Sequence, residues 1–125
     1  MTVAELTDGF LMNLGYSRSD LMQEDVVQEY ADVLLRYLNE GYARAVCRLY
    51  GREAVGHLDP LRCEEDEPVK LDESLHPLLA DYAAARVQEI RGNTASSGTL
   101  YAVFERGLAE NAADGRTGWH EWENL

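Results

Sequence analysis

The stretch that decides the fold is Leu75-His76-Pro77-Leu78-Leu79-Ala80-Asp81-Tyr82-Ala83-Ala84-Ala85-Arg86. Its larger side chains recur at steps of three and four, the spacing that places them on one face of an α-helix. That face comprises Leu75, Leu79, Tyr82, Arg86 and Ile90. Pro77 fits the first helical turn, where its missing N–H costs nothing, and Ser74 is predicted to cap the helix. The alanines leave little bulk, so another helix can approach closely.

A second amphipathic stretch follows, after a connector rich in turn-forming residues at 92–97. Ser96 or Ser97 is expected to cap this last helix, which should extend to about residue 113. Its apolar residues are Leu100, Tyr101, Phe104 and Leu108. Because the connector is short and polar, we expect the two helices to form an antiparallel pair.

The chain upstream predicts two more helices. Thr2 and Glu5 have the spacing of a capping box, in which each side chain bonds the other's backbone N–H, and Gly15 is a plausible stop. A long helix is predicted for residues 25–50, with Asp25 as its cap. Within it, Gly41 indicates either a kink or a close helix crossing, because Gly is otherwise unfavourable inside a helix.

Residues 52–73 break the helical pattern with Gly56, Pro60 and Pro68. Two short alternating stretches, at 61–63 and 69–71, predict either a weak two-stranded hairpin or a long ordered loop. The expected fold is therefore mainly α: a bundle of about four helices with a small β-hairpin or long loop inserted before the third helix. We expect a helical domain at residues 1–113 and a C-terminal tail at 114–125.

Composition limits the possible functions. The 125 residues fit one domain, and 23 acidic against 11 basic residues give a formal net charge of −12. This charge argues against tight binding of a phosphate backbone, although DNA could pass close by without sticking. Two cysteines without a secretory signal do not suggest a disulfide scaffold. No run of 18 apolar residues predicts a membrane span.

The sequence contains no recognisable catalytic, metal-binding or cofactor-binding pattern. The spacing of His57, Cys63 and His76 matches no zinc site, and nothing orients a Cys/His pair as a nucleophile. An acidic run interrupts the region 52–73 and consists of Glu64, Glu65, Asp66 and Glu67. It lacks the alternating spacing of a calcium loop, so we interpret it as a solvated, mobile loop.

The remaining candidates are residues that could bind a protein partner. Trp119 and Trp122 lie three residues apart in the polar tail and are expected either to fold back or, preferably, to anchor a partner. Arg86 lies on an apolar face and needs an acid, either across a subunit boundary or within the chain at Asp81, Glu89 or a helix C-terminus. The acidic run is a further candidate contact. Four tyrosines of the long helix favour packing over ligand stacking: Tyr30, Tyr37, Tyr42 and Tyr50.

Residues 71–108 resemble the head–tail connector (adaptor) proteins of tailed bacteriophages. The resemblance is carried by the entry Leu75-His76-Pro77-Leu78-Leu79, the pair Asp81-Tyr82, Arg86 four residues later, and Leu100-Tyr101-Ala102-Val103-Phe104-Glu105-Arg106-Gly107-Leu108-Ala109. The long upstream helix and the acidic loop also follow the family's order, and the match covers about half of the chain.

The resemblance implies a structural virion protein located in the neck and assembled in the host cytoplasm. Its subunits would form a homo-oligomeric ring that joins the portal protein to a tail or stopper protein and lines the DNA channel, without enzymatic activity or membrane contact. A different hypothesis from the same composition is a small acidic helical module that regulates a basic protein partner.

Overall fold

The protein is mainly helical in the computed structural model, which describes residues 1–21 and 28–113. The helices are α1 (Val3–Asn13), α2 (Arg18–Leu21), α3 (Ala31–Tyr50), α4 (Arg52–Gly56), α5 (His76–Ile90) and α6 (Thr94–Ala113), and a 3-10 turn spans Glu73–Leu75. The mainly α prediction is confirmed. The expected cap Asp25 and the whole tail, 114–125, lie outside the described residues. No helix in the described ranges has the length and hydropathy needed to cross a bilayer.

Helix α5 lies at the centre and packs against α1, α3 and α6. Its Ala83, Ala84 and Ala85 are completely buried, so the neighbouring backbones can approach from several sides. Several larger side chains fill the space between the helices and are fully buried; they include Leu6, Phe10, Leu38, Tyr42, Leu79, Phe104 and Leu108. The small-residue stretch therefore organises the core, as its sequence predicts.

Helices α5 and α6 form the expected antiparallel pair. The Tyr82 ring lies 5.1 Å from the Phe104 ring, measured between centroids. Towards the other end of α5, Ser97 Oγ donates a hydrogen bond to the Ala85 carbonyl over 3.1 Å. Contacts thus shift to earlier residues of α6 as they move to later residues of α5, which is the order that an antiparallel pair requires.

The start of α1 and the ends of two helices agree with the sequence. Thr2 and Glu5 form both bonds of the capping box, and Gly15 and Gly51 adopt φ values of 96° and 94° just beyond α1 and α3. Gly41 lies inside the unbroken α3, and a Cβ there would meet the Tyr82 ring at 2.9 Å. The close-crossing interpretation of Gly41 is therefore the right one.

Two predicted caps are wrong. Ser74 does not cap α5; its backbone N–H instead donates to Asp72 Oδ1 over 3.0 Å in the preceding 3-10 turn, although Pro77 does lie in the first turn of α5. Helix α6 begins at Thr94, so Ser97 is an interior residue that bonds α5. Ser74 is bound locally by Asp72, which also accepts its hydroxyl over 2.7 Å. Only for Ser97 does the partner, the Ala85 carbonyl, come from helix packing.

The apolar face predicted for α5 is not buried along its whole length, because its last residue, Ile90, is 65% exposed. Ile90 lies in the final helical turn, and the residues that follow it, 91–96, are all exposed. Helical spacing identifies the side of a helix but not how far its packing partners extend, so the pattern overestimated the buried length.

Residues 52–73 form α4 and a long loop, and the described chain shows no strand there, so the hairpin alternative is wrong. Some backbone groups of this region bond other elements, and others make local turns such as Asp66 N–H to the Cys63 carbonyl. Val3 N–H donates to the Asp66 carbonyl over 2.9 Å, and the Asn39 side chain bonds both the N–H and the carbonyl of Leu61. These bonds leave no ladder between the two alternating stretches.

Candidate interaction surfaces

Arg86 is held within its own chain. Its Nε lies 3.1 Å from Glu40 Oε2 and its Nη1 lies 3.6 Å from Glu89 Oε1, while its guanidinium stacks over the Tyr37 ring at 5.2 Å from the centroid. Glu89, one of the internal partners considered from the sequence, is therefore in contact with Arg86, whereas Glu40 was not predicted. Glu40 lies on α3 and Arg86 lies on α5. Residue spacing within one helix therefore could not identify this pair.

Two further arginines of α3 contact one carboxylate of α6. Arg48 Nη1 lies 2.7 Å from Glu105 Oε2, and Arg44 Nε lies 3.6 Å from Glu105 Oε1. The Arg44 and Arg48 side chains are 57% and 53% exposed. Both guanidinium groups therefore share one carboxylate, and more than half of each side chain is open to a further partner. We call Arg44 and Arg48 the arginine ridge.

Two hollows lie on either side of the Arg44–Glu105 pair. One, of about 340 Å³, is also bordered by Tyr82, Arg86, Glu89 and Tyr101. The other, of about 280 Å³, is bordered by Cys47, Arg48 and Leu108. Sequence analysis missed this surface, although the four-residue spacing of Arg44 and Arg48 could have placed both on one side of α3.

The acidic segment, residues 64–67, is fastened to the N-terminus of α1. The carbonyls of Glu64 and Asp66 accept the backbone N–H groups of Ala4 and Val3 over 3.1 and 2.9 Å. The Glu64 and Glu65 side chains remain exposed. Glu67 Oε1 lies 2.9 Å from the Met1 amino group. These contacts contradict the expected mobility, because the loop supplies acceptors that the first turn of α1 otherwise lacks.

Asp66 shapes this loop from inside. Its Oδ2 accepts backbone N–H groups from Arg62 over 2.7 Å and from Cys63 over 3.1 Å. The Arg62 N–H bond and the Cys63 thiol lower the pKa of Asp66, since both stabilise the carboxylate. Asp66 is therefore a structural residue, and the exposed carboxylates available for a partner are those of Glu64 and Glu65.

The acidic segment and the arginine ridge are attached to opposite sides of α3. The loop that carries the acidic segment binds Asn39 and Tyr42: Leu61 bonds the Asn39 amide, and the Lys70 N–H donates to Tyr42 Oη over 3.0 Å. Asn39 and Arg48 are separated by about two and a half helical turns, which directs their side chains about 180° apart. The anchor of the loop at Asn39 and the arginine ridge therefore lie on different sides of α3.

The tyrosines of the long helix pack as expected. Tyr30, Tyr37 and Tyr42 are buried, and Tyr50 packs partly buried against the core. Burial raises the pKa of Tyr30 to about 12, and its ring meets Phe10 edge-on at 5.3 Å between centroids. These rings are not available for stacking with a ligand.

His76, His57 and Cys63 have different environments and do not form a common site. His76 is 4% exposed and its Nε2 lies 3.1 Å from the Leu71 carbonyl oxygen, whereas His57 and Cys63 are at the surface. A hydrogen bond with Asp66 raises the pKa of the Cys63 thiol, which disfavours the nucleophilic thiolate. Among the described residues, no group of three or more His, Cys, Asp or Glu is arranged to hold a metal ion.

Trp119 and Trp122 lie outside the described residues, so their assignment as partner anchors stays a prediction. Comparison with known proteins gives no match: no family model, curated protein or solved structure matches this chain. The connector hypothesis therefore depends on the resemblance at residues 71–108 and on the surfaces described above.

Proposed function

We propose that this protein is a structural subunit of a head–tail connector ring that joins a portal to a tail and lines the DNA channel. The observation that carries the proposal is the stretch 71–108, whose resemblance to adaptor proteins falls on the antiparallel pair α5–α6 at the centre of the fold. In this role the protein acts by assembly and not by catalysis.

The distribution of charge supports the same function. Glu64 and Glu65 are exposed on a chain with a formal net charge of −12. Phosphate groups are repelled by such a surface, so DNA can move past it without being retained. The portal protein and a tail or stopper protein are the proposed partners above and below the ring.

The test begins with the genes beside the one that encodes this chain, which we expect to include a portal gene. The portal and this protein would then be produced together and imaged by negative-stain electron microscopy. We expect an additional ring of density on one end of the portal, absent when the portal is produced alone. A portal that gains no density would contradict the proposal.

A small acidic module that masks a basic protein is the second candidate, favoured by the net charge of −12. It would be recognised by capture of a single basic partner at fixed low stoichiometry and by the absence of any ring. The imaging experiment separates the two functions, since only the connector adds many copies to one symmetric particle.

A further inference from the structure

We infer that the arginine ridge of one copy binds the Glu64 and Glu65 side chains of a second copy in a head-to-tail contact. The inference rests on the proposed ring assembly and names the surfaces that join its subunits. It deepens that function by assigning complementary residues to both sides of the joint.

The arginine ridge is accessible, and its two side chains share one ion-pair partner. Arg44 and Arg48 share Glu105, and more than half of each arginine side chain is exposed. Guanidinium groups present several N–H donors in a planar fork that matches carboxylates. Two additional carboxylates from outside could therefore bind the exposed N–H groups of both arginines.

Glu64 and Glu65 are suited to that role because their backbone is already fixed. Glu64 is tied to α1 through its carbonyl, and the adjacent Asp66 accepts two backbone N–H groups of the same loop. A preordered loop loses little conformational entropy on binding, so more of the interaction energy remains for affinity. The two exposed side chains project from this fixed segment.

A second copy is the only source of Glu64 and Glu65 that the geometry allows for the ridge. Around α3, the loop's anchor Asn39 lies about 140° from Arg44 and about 180° from Arg48. The acidic segment is also bonded to α1, so the loop of one chain does not reach its own ridge. A contact between two different faces repeats from copy to copy, and it generates a ring when the rotation closes. This is the symmetry that a connector requires.

The native cysteines provide a direct probe of this contact. Cys47 borders the hollow beside the arginine ridge, and Cys63 is exposed next to Glu64. A C63S variant keeps a thiol only on the basic side, and a C47S variant keeps one only on the acidic side. A short bis-maleimide cross-linker then reports which faces meet, even when the net charge of −12 makes association weak.

We expect a mixture of C63S and C47S to give the cross-linked heterodimer about tenfold faster than either variant gives homodimer, because docking raises the effective concentration of the two thiols. R44Q/R48Q placed in the C63S copy, or E64Q/E65Q placed in the C47S copy, should remove this advantage. Matched changes at exposed charges of α6, R106Q and E110Q, should leave it intact.

Homodimers forming as fast as heterodimers, or yields indifferent to the charge changes, would overturn the inference. Thermal unfolding of each variant checks that it folds, and the two charge variants lie on separate elements, so misfolding of one leaves the other decisive. A portal-bound ring that assembles normally with R44Q/R48Q would reject this joint but keep the connector function. A wild-type chain that forms no ring would reject the function itself.

Discussion

Phe104 connects α6 to the centre of the core. Its side chain is completely buried and its ring lies 5.1 Å from that of Tyr82. We expect Phe104→Ala to lower the free energy of unfolding by about 3–5 kcal/mol, because the site loses apolar burial and gains a cavity. Val103→Ala is the matched control, since Val103 is adjacent but 42% exposed. Urea denaturation measures both, and an unchanged midpoint for Phe104→Ala would show that Phe104 is not a core residue.

Asp81 gives a prediction about pH. Burial raises the pKa of Asp81 above its ordinary value of 3.8, and the hydrogen bond from Asn13 offsets this only in part. The folded state therefore binds a proton more readily than the unfolded state at this site. The stability that protonated Asp81 contributes is present below pH 3.8 and is lost as the pH rises through the raised pKa.

Asp81→Asn removes this titration while keeping the size of the side chain and an oxygen to accept from Asn13. We expect the variant to gain stability relative to wild type as the pH increases from about 4 to 7, and to lose that advantage in acid. Melting temperatures across this range test the prediction. Parallel curves for the two proteins would show that Asp81 has the same pKa in the folded and unfolded states.

At the scale of helices, Gly41 and Gly98 form a matched pair of substitutions. A Cβ at Gly41 would lie 2.9–3.2 Å from Tyr82 atoms, whereas a Cβ at Gly98 would meet nothing within 4 Å. Gly98→Ala should stabilise the protein by about 0.5–1 kcal/mol through helix propensity. Gly41→Ala should destabilise it, because overpacking against a buried ring costs about 1–3 kcal/mol and exceeds that gain.

Chemical denaturation of the two variants gives opposite shifts if α3 and α5 cross as closely as the structure shows. Equal stabilisation by both alanines would indicate that the helices stand further apart at Gly41. The same measurement on the wild type supplies the reference, since neither change alters the charge of the protein.

At the scale of the whole molecule, the assignment of Trp119 and Trp122 as partner anchors makes a spectroscopic prediction. They are the two tryptophans of the chain, so fluorescence excited at wavelengths that tyrosine does not absorb reports on residues 114–125. We expect emission of the free protein to be red-shifted and easily quenched by iodide, and to shift to the blue when the portal is added. Blue, quencher-resistant emission from the free protein would show that the tryptophans are already buried, and it would contradict their assignment as partner anchors.

A chain ended after residue 113 is the control for that experiment. It should retain the helical circular dichroism and the melting midpoint of the full chain, because the described core is built from residues up to Leu108. Its binding to the portal should be weakened. A large loss of stability in the shortened chain would show that the last twelve residues contribute to folding.

The sequence by itself determined the helical character of this protein and several of its local features. The capping box at Thr2, the glycines that follow α1 and α3 and the pairing of α5 with α6 depend on residues close together in the chain. Phe104 and Leu79 were also identified as core residues, since helical spacing reveals which side of a helix is apolar.

Only the tertiary structure decided which distant groups meet. It replaced the hairpin by a loop bonded to α1 and Asn39, gave Arg86 the partner Glu40, and placed the arginine ridge opposite the acidic segment. The acidic run is a candidate contact from the sequence, and that role stays a prediction, whereas the sequence analysis did not identify the arginine ridge. Spacing along a chain fixes the direction of side chains within one helix, whereas contacts between elements depend on how the helices pack around α5.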